Sequence, residues 1–233
     1  FLNRDQPTVY SLQSKEIFFL DVLFEADVLQ AVLTHFLNDR WYKQIPEGEP
    51  NYILRSYIAR SSNKKLPMHI DSFVPYQGAH PFIMQCSIIL EDQSAENGCT
   101  IVVPGSHLSG EYTTQEAASR AIPLESEKGD VVIWDSRLWH GTTENASGAT
   151  RWAMIATYCR WWVKQHFNIP YTLPQDIYAQ LTDSQKAVLG FCSIPPLDET
   201  ERIDLKSGYD ALLPDVSMYR ERIRALDQVP SSA

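Results

Sequence analysis

The chain has 233 residues, of which 44% are hydrophobic, and its net charge is −9. The length suits one large domain, and we expect residues 1–233 to form a single domain. The acidic balance argues against nucleic-acid binding, which needs a basic surface. Nor does any apolar run reach the roughly 18 residues that a membrane-spanning helix requires.

The four cysteines are scattered along the chain and form no C-x-x-C pair, which argues against a cysteine metal site. Cys86 and Cys159 lie inside apolar runs, where a reduced cysteine packs as a small core residue. This pattern favours a reducing, cytoplasmic location over a secreted, disulfide-bonded protein.

Apolar spacing and turn residues predict a series of short elements in chain order. The predicted strands are Ile17–Leu23, Tyr52–Ala59, Phe82–Leu90, Thr100–Val103, Val131–Trp134 and Arg151–Tyr158. The predicted helices are Glu25–Leu37, Thr113–Arg120, Thr182–Leu189 and Ser217–Leu226. Short strands without regular βα alternation indicate a mainly β sandwich or barrel, of which the jelly roll is one form.

A His-x-Asp tripeptide, His69-Ile70-Asp71, is followed far downstream by His140. On an extended strand, residues two apart point to the same face, so an imidazole and a carboxylate could bind one ion together. Two nitrogens and one oxygen form the facial triad of non-haem Fe(II) enzymes, which leaves three metal positions open. Arg151 would suit a cosubstrate that carries a carboxylate. His-x-Asp alone is a common tripeptide, so this interpretation depends on the surrounding pattern.

That pattern is the segment Glu96-Asn97-Gly98-Cys99-Thr100-Ile101-Val102-Val103-Pro104-Gly105-Ser106-His107, which resembles a signature of the phytanoyl-CoA dioxygenase family. His69-Ile70-Asp71 stands upstream of it, and Trp139-His140-Gly141-Thr142 stands downstream. The resemblance covers roughly residues 50–165, and the ordered set of motifs is highly specific.

The resemblance implies a double-stranded β-helix, a jelly-roll or cupin-like core, over about residues 50–160 with flanking α-helices. It also implies Fe(II), with 2-oxoglutarate and O2 as cosubstrates. His69, Asp71 and His140 would be the metal ligands and the catalytic centre. Arg151 would bind the distal carboxylate of 2-oxoglutarate, with contacts from Thr142 and, on weaker grounds, Thr100.

Asp71 bears on the reaction type, because related halogenases have a small residue at this position that frees a site for halide. The family therefore implies hydroxylation of an unactivated C–H bond, with release of succinate and CO2. The substrate is expected to be a small metabolite. Ser87 departs from family members that carry Trp at the matching position near the cosubstrate, and His107 is expected to be a turn residue.

Two other interpretations remain open at this level. A cupin-like metal enzyme without redox chemistry would use a similar barrel, although such sites often contain three histidines and a Glu, and this chain lacks an H-x-H pair. A non-catalytic binding module could also retain the barrel. The sequence does not indicate the substrate or the oligomeric state.

Overall fold

The computed structural model describes residues 7–196, 199 and 206–226. Contacts divide the chain into two compact units. The first contains Phe1–Leu12 and Ser56–Cys159, and the second contains Gln13–Arg55 and Arg160–Ala233. A single domain stays a prediction.

The first unit is built on two antiparallel sheets. The strands are β1 (Thr8–Tyr10), β2 (Tyr52–Arg60), β3 (Ile83–Ile89), β4 (Thr100–Val102), β5 (Ile122–Leu124), β6 (Val131–Asp135), β7 (His140–Thr142) and β8 (Ala153–Arg160). The larger sheet has the strand order β1-β2-β8-β3-β6, and the smaller one has the order β5-β4-β7. The strands predicted between residues 52 and 160 are confirmed to within about two residues at each end, whereas β5 and β7 were not predicted.

Register decides which side chains share a face of the larger sheet. Gln85 of β3 pairs with Thr157 of β8 and with Trp134 of β6. Successive side chains on a strand alternate between faces, so these three lie on the same face of the sheet. The side chains of Cys86 and Ala156, which also pair, lie on the opposite face and are fully buried.

A small apolar core lies beneath the smaller sheet. Met68, Ile101, Val103, Ala117 and Trp139 pack together there. The segment predicted as a helix over Thr113–Arg120 is a short 3-10 helix, Gln115–Arg120, and contributes Ala117 to this cluster. Another 3-10 turn, Ser106–Leu108, follows Gly105, whose φ of 78° lies in the region that favours glycine.

The second unit is mainly helical. Its helices are α1 (Ile17–Phe24), α2 (Asp27–Leu37), α3 (Ile169–Thr172), α4 (Gln175–Tyr178), α5 (Asp183–Val188) and α6 (Val216–Leu226). A capping box begins α5, because the side chains of Thr182 and Gln185 each accept a hydrogen bond from the other's backbone N–H. A core cluster of Tyr42, Ile45, Ala187 and Cys192 packs against Trp161.

The prediction of a strand over Ile17–Leu23 is wrong, because this segment forms α1. A continuous apolar run of this length does not distinguish a strand from a buried helix by periodicity. In the structure, Leu20 and Leu23 are buried at helical spacing while Phe18 is exposed. Packing of that one face selects the helix.

All four cysteines are free thiols and all are buried. Within the described ranges, none of the helices combines the length and the apolar character that crossing a bilayer requires.

Candidate metal centre

Backbone pairing brings His69 beside His140. The two residues exchange hydrogen bonds, from His69 N to His140 O at 2.8 Å and from His140 N to His69 O at 3.1 Å. His69 forms an isolated bridge and is not part of a regular strand. Asp71 lies in a turn, and its backbone N–H donates to Ser136 O at 2.8 Å. The expected extended strand is thus reduced to a single bridge, but the side chains of His69 and Asp71 still point to the same side.

Gly141 allows the segments that carry His69 and His140 to lie this close together. A Cβ at Gly141 would lie 2.7 Å from the carbonyl oxygen of Leu66, closer than side-chain carbons approach oxygen. Sterics therefore explain why a glycine follows His140, since a larger residue would push away the segment that carries His69.

The three side chains converge as the sequence predicts. The ligand atoms of His69, Asp71 and His140 all lie within 4.8 Å of one another. His140 Nε2 is 3.2 Å from Asp71 Oδ2, and His69 Nε2 is 3.5 Å from Asp71 Oδ1. The two imidazole rings are 4.1 Å apart between centroids.

These separations fit one metal ion. Neighbouring ligands held at about 2.1 Å from an octahedral metal lie about 3 Å apart, close to the distances seen here. The donor set of two nitrogens and one carboxylate also matches the facial triad. Among the described residues, no other group of three His, Cys, Asp or Glu side chains meets the same distance condition.

Both histidines present the same nitrogen to the shared space. His69 Nδ1 lies 2.9 Å from Pro67 O, and His140 Nδ1 lies 2.9 Å from Leu138 O. Carbonyl oxygens only accept, so Nδ1 carries the proton in each ring. Each Nε2 can then offer its lone pair to a metal, which is the usual arrangement for metal-binding histidines.

When no metal is bound, Asp71 and His69 shift each other's pKa in the directions expected of an ion pair. Burial alone would raise the pKa of Asp71, but hydrogen bonds and charge attraction from His140 and His69 outweigh it and lower that pKa. Burial alone would lower the pKa of His69, whereas Asp71 raises it, and the net pKa lies above the ordinary value. A metal ion would replace the proton that this pair holds.

Arg151 lies two residues before β8, and its backbone N–H donates to Ser61 Oγ at 3.0 Å. Its side chain is 8% exposed, and its Nε has no hydrogen-bond partner. Burial, together with the nearby charge of Arg60, lowers the pKa of Arg151 to about 10. A buried guanidinium with an unsatisfied N–H is suited to binding an anion.

Thr100 and Thr142 are directly paired in the smaller sheet. His140 is two residues from Thr142, so both threonines share the face that carries His140, a candidate metal ligand. Thr142 Oγ1 accepts a hydrogen bond from Leu66 N at 2.9 Å, and the hydroxyl keeps its own proton to donate. Their contacts with a cosubstrate stay predictions.

Sequence reasoning missed Gln85, Arg60 and Trp134. Gln85 donates to Asp71. The charge of Arg60 acts to lower the pKa of His69 and of Arg151. The Trp134 ring lies 5.6 Å from that of His140, and its Nε1 is buried without a partner. A polar residue inside the apolar run Ile83–Ile89 was the available signal for Gln85.

His107 and Ser87 were also considered from the sequence. His107 belongs to the 3-10 turn after Gly105 and is not part of the metal-ligand group. Ser87 is buried on the same face of β3 as Gln85, where it pairs with Ile155 and Val132.

Comparisons with known proteins agree with this geometry. A family model for phytanoyl-CoA dioxygenase (PhyH) matches residues 4–153. Dioxygenase himG of Aspergillus japonicus is 24% identical over 226 residues, covering 84% of this chain and 70% of that protein. Matches to several other curated dioxygenases cover only 34% to 46% of those proteins.

Solved structures share the fold. HygX from Streptomyces hygroscopicus, with nickel and 2-oxoglutarate bound, is 17% identical with a TM-score of 0.56, covering 70% of this chain and 72% of that chain. The non-haem alpha-ketoglutarate-dependent epimerase SnoN from nogalamycin biosynthesis is 18% identical with a TM-score of 0.50, covering 67% and 64%. The predicted jelly-roll fold is confirmed.

Proposed function

We propose, since the chain belongs to the phytanoyl-CoA dioxygenase family, that it is a non-haem Fe(II)- and 2-oxoglutarate-dependent dioxygenase. The observation that carries the proposal is the convergence of His69, Asp71 and His140 within 4.8 Å. We further propose that it hydroxylates an unactivated C–H bond of a small-molecule metabolite. In balance, R–H, O2 and 2-oxoglutarate give R–OH, succinate and CO2.

Three side chains would hold the iron: His69 and His140 through Nε2, and Asp71 through its carboxylate. A ferrous ion held there would supply the oxidation chemistry, with O2 as the oxidant and 2-oxoglutarate as the source of the additional electrons. The protein's own contribution is to fix these ligands. The carbonyls of Pro67 and Leu138 set the orientation of the two rings.

The charge of the site supports an anionic cosubstrate. Arg151 is buried, and its Nε lacks a partner, so a carboxylate would satisfy it through charge-assisted hydrogen bonds. Arg60 adds a second positive charge close to Arg151. 2-Oxoglutarate carries two carboxylates and would relieve the repulsion between the two guanidinium groups. Thr142 and Thr100 are proposed as additional contacts.

The carboxylate of Asp71 supports hydroxylation over halogenation, since it occupies the metal position that a halide would need. Epimerisation is a second candidate, because SnoN, which shares the fold, is described as an epimerase. Both reactions would begin by removing a hydrogen atom from a C–H bond. Hydroxylation then adds an oxygen atom to that carbon, whereas epimerisation returns a hydrogen atom to its other face and needs an external reductant as the hydrogen donor.

The proposed substrate is a small natural-product-like molecule. HygX has been solved with hygromycin B bound together with nickel and 2-oxoglutarate. Several curated relatives are named as dioxygenases of filamentous fungi. Neither fact identifies the compound, so the substrate class stays at the level of a small metabolite.

The test begins without a substrate. Fe(II) and 2-oxoglutarate added under anaerobic conditions should produce a weak visible charge-transfer band, which a non-redox metal enzyme or a binding module would lack. Asp71→Ala and His140→Ala should both abolish the band. A metabolite library is then screened aerobically for substrate-stimulated succinate release, and product mass separates hydroxylation from epimerisation. A full band in either variant, or none in the unaltered protein, contradicts the proposal.

A further inference from the structure

Gln85 is a large polar side chain in a mostly apolar strand. It lies at the centre of β3 and is only 6% exposed. An amide in such surroundings is costly to bury unless its donors and acceptors are paired. The strand register places it on the same face as Thr157 and Trp134.

Both ends of the amide are engaged. Gln85 Nε2 donates to Asp71 Oδ2 at 2.9 Å, and Gln85 Oε1 accepts from the hydroxyl of Thr157 at 2.7 Å. The Thr157 hydroxyl has one proton to donate, and this bond gives it to the oxygen end of the amide. A turned amide would place Oε1 against the Asp71 carboxylate, so Thr157 determines which end of Gln85 faces the metal site.

We propose that Gln85, oriented by Thr157, is a positioning residue that holds the Asp71 carboxylate so that a metal ion binds through Oδ1 alone. The inference rests on the proposed function, because it assumes that His69, Asp71 and His140 bind iron. It assigns a role to two residues that lie outside the ligand set.

The physical reason is the number of metal positions. A carboxylate can bind a metal through one oxygen or through both. Binding through both would occupy an additional position on the metal, and the proposed reaction needs two positions for 2-oxoglutarate and one for O2. An N–H donor on Oδ2 competes with metal binding at that oxygen and leaves Oδ1 for the metal.

The arrangement also completes the support of the ligand set. His69 and His140 each have a backbone carbonyl that fixes the ring. Among the described residues, the Asp71 carboxylate has no comparable backbone partner, and Gln85 supplies that contact. Each of the three ligands is therefore oriented by a hydrogen bond to one group outside the ligand set.

The test uses the full chain and Co(II) as the metal probe, so that no substrate is needed. Gln85→Leu removes the donor at similar size, and Thr157→Val removes the hydroxyl at similar shape. Cys86→Ala is the matched control, since it is the next residue on β3 and its side chain lies on the opposite face. Metal affinity and the intensity of the cobalt d–d bands, which reports coordination number, are measured with and without 2-oxoglutarate.

We expect Gln85→Leu to weaken cobalt binding about 10- to 100-fold, the range found when outer-shell partners are lost. It should also change the d–d spectrum in the presence of 2-oxoglutarate. Thr157→Val should act in the same direction but less strongly, because the amide can still adopt the correct orientation part of the time. Cys86→Ala should retain the affinity and the spectrum of the unaltered protein.

Two outcomes separate this inference from the proposed function. If the unaltered protein fails to bind cobalt, the metal site itself is overturned. If it binds cobalt, and natively folded Gln85→Leu matches its affinity and spectrum, only the role of Gln85 is overturned. Should Gln85→Leu not fold, as judged by near-ultraviolet circular dichroism, an unchanged affinity and spectrum for Thr157→Val would overturn the inference instead.

Discussion

A Cβ atom placed on Gly98 would lie 2.8 Å from Nε of Arg151. Gly98 belongs to the Asn97-Gly98 turn, and its φ of 92° is one that residues with a side chain rarely adopt. The glycine therefore does two things: it permits the turn, and it leaves room for the guanidinium that is proposed to bind 2-oxoglutarate.

We predict that Gly98→Ala weakens 2-oxoglutarate binding about tenfold while metal affinity is retained, because the methyl group displaces Arg151. Anaerobic titration of the Fe(II) protein with 2-oxoglutarate measures this. Gly129→Ala is the matched control, since Gly129 has a similar φ of 99° but no atom within 4 Å of the added Cβ. Both variants should lose stability through backbone strain, on the order of 1–3 kcal/mol. Equal 2-oxoglutarate affinity in the two variants would show that the contact with Arg151 is unimportant.

Substitution of Arg151 should weaken binding of 2-oxoglutarate and leave binding of the metal unchanged. Arg151→Gln is expected to raise the KM for 2-oxoglutarate about 10- to 100-fold, since charged hydrogen bonds contribute about 1.5–3 kcal/mol. Arg151→Lys should also bind 2-oxoglutarate more weakly than the unaltered protein, because an ammonium cannot form the two parallel hydrogen bonds of a guanidinium. Succinate formation at varied 2-oxoglutarate measures the effect. An unchanged KM in Arg151→Gln would assign the carboxylate to another residue.

Stability of the metal-free protein should decrease as pH rises through neutrality. The pKa of His69 is raised in the folded protein, whereas the unfolded value is about 6.5. The stabilising contribution is therefore complete below about pH 6.5 and is lost as pH rises through the folded pKa. Thermal unfolding of the chelator-treated protein between about pH 6 and 8 should show a falling Tm, and metal-saturated protein should not show this fall. His69→Asn should reduce the slope, and a Tm that rises with pH in the metal-free protein would contradict the assignment.

The cysteines should be unreactive in the folded protein. Burial raises the pKa of Cys86 to about 12, and burial followed by the nearby charge of Asp183 raises that of Cys192 to about 12 as well. At pH 8 a thiol of this pKa is ionised in about one molecule in 10,000, compared with about one in four for an ordinary thiol. A thiol reagent should therefore react slowly with native protein and rapidly with all four cysteines after unfolding in guanidinium. A fast-reacting thiol in the native protein would show that one of these side chains is accessible.

Much of the site could be predicted from the sequence, because its chemistry is carried by residue types at fixed local spacing. His69-Ile70-Asp71, the Asn-Gly and Pro-Gly turns and Trp139-His140-Gly141 are local motifs, and each retains its meaning without knowledge of the fold. The strands between residues 52 and 160 were also predictable, since alternation and turn residues are local signals. The segment Ile17–Phe24 was not, because a short apolar run gains its conformation from the surface against which it packs.

What the sequence by itself determined is which three side chains form the candidate metal centre and which arginine accompanies them, since these depend on side-chain chemistry and on order along the chain. Only the tertiary structure decided how they are held. Gln85 reaches Asp71, and Gly98 gives space to Arg151, across separations of 14 and 53 residues, and such contacts arise from strand register and turn geometry. Register is a property of paired strands, so no single segment of the chain contains the information.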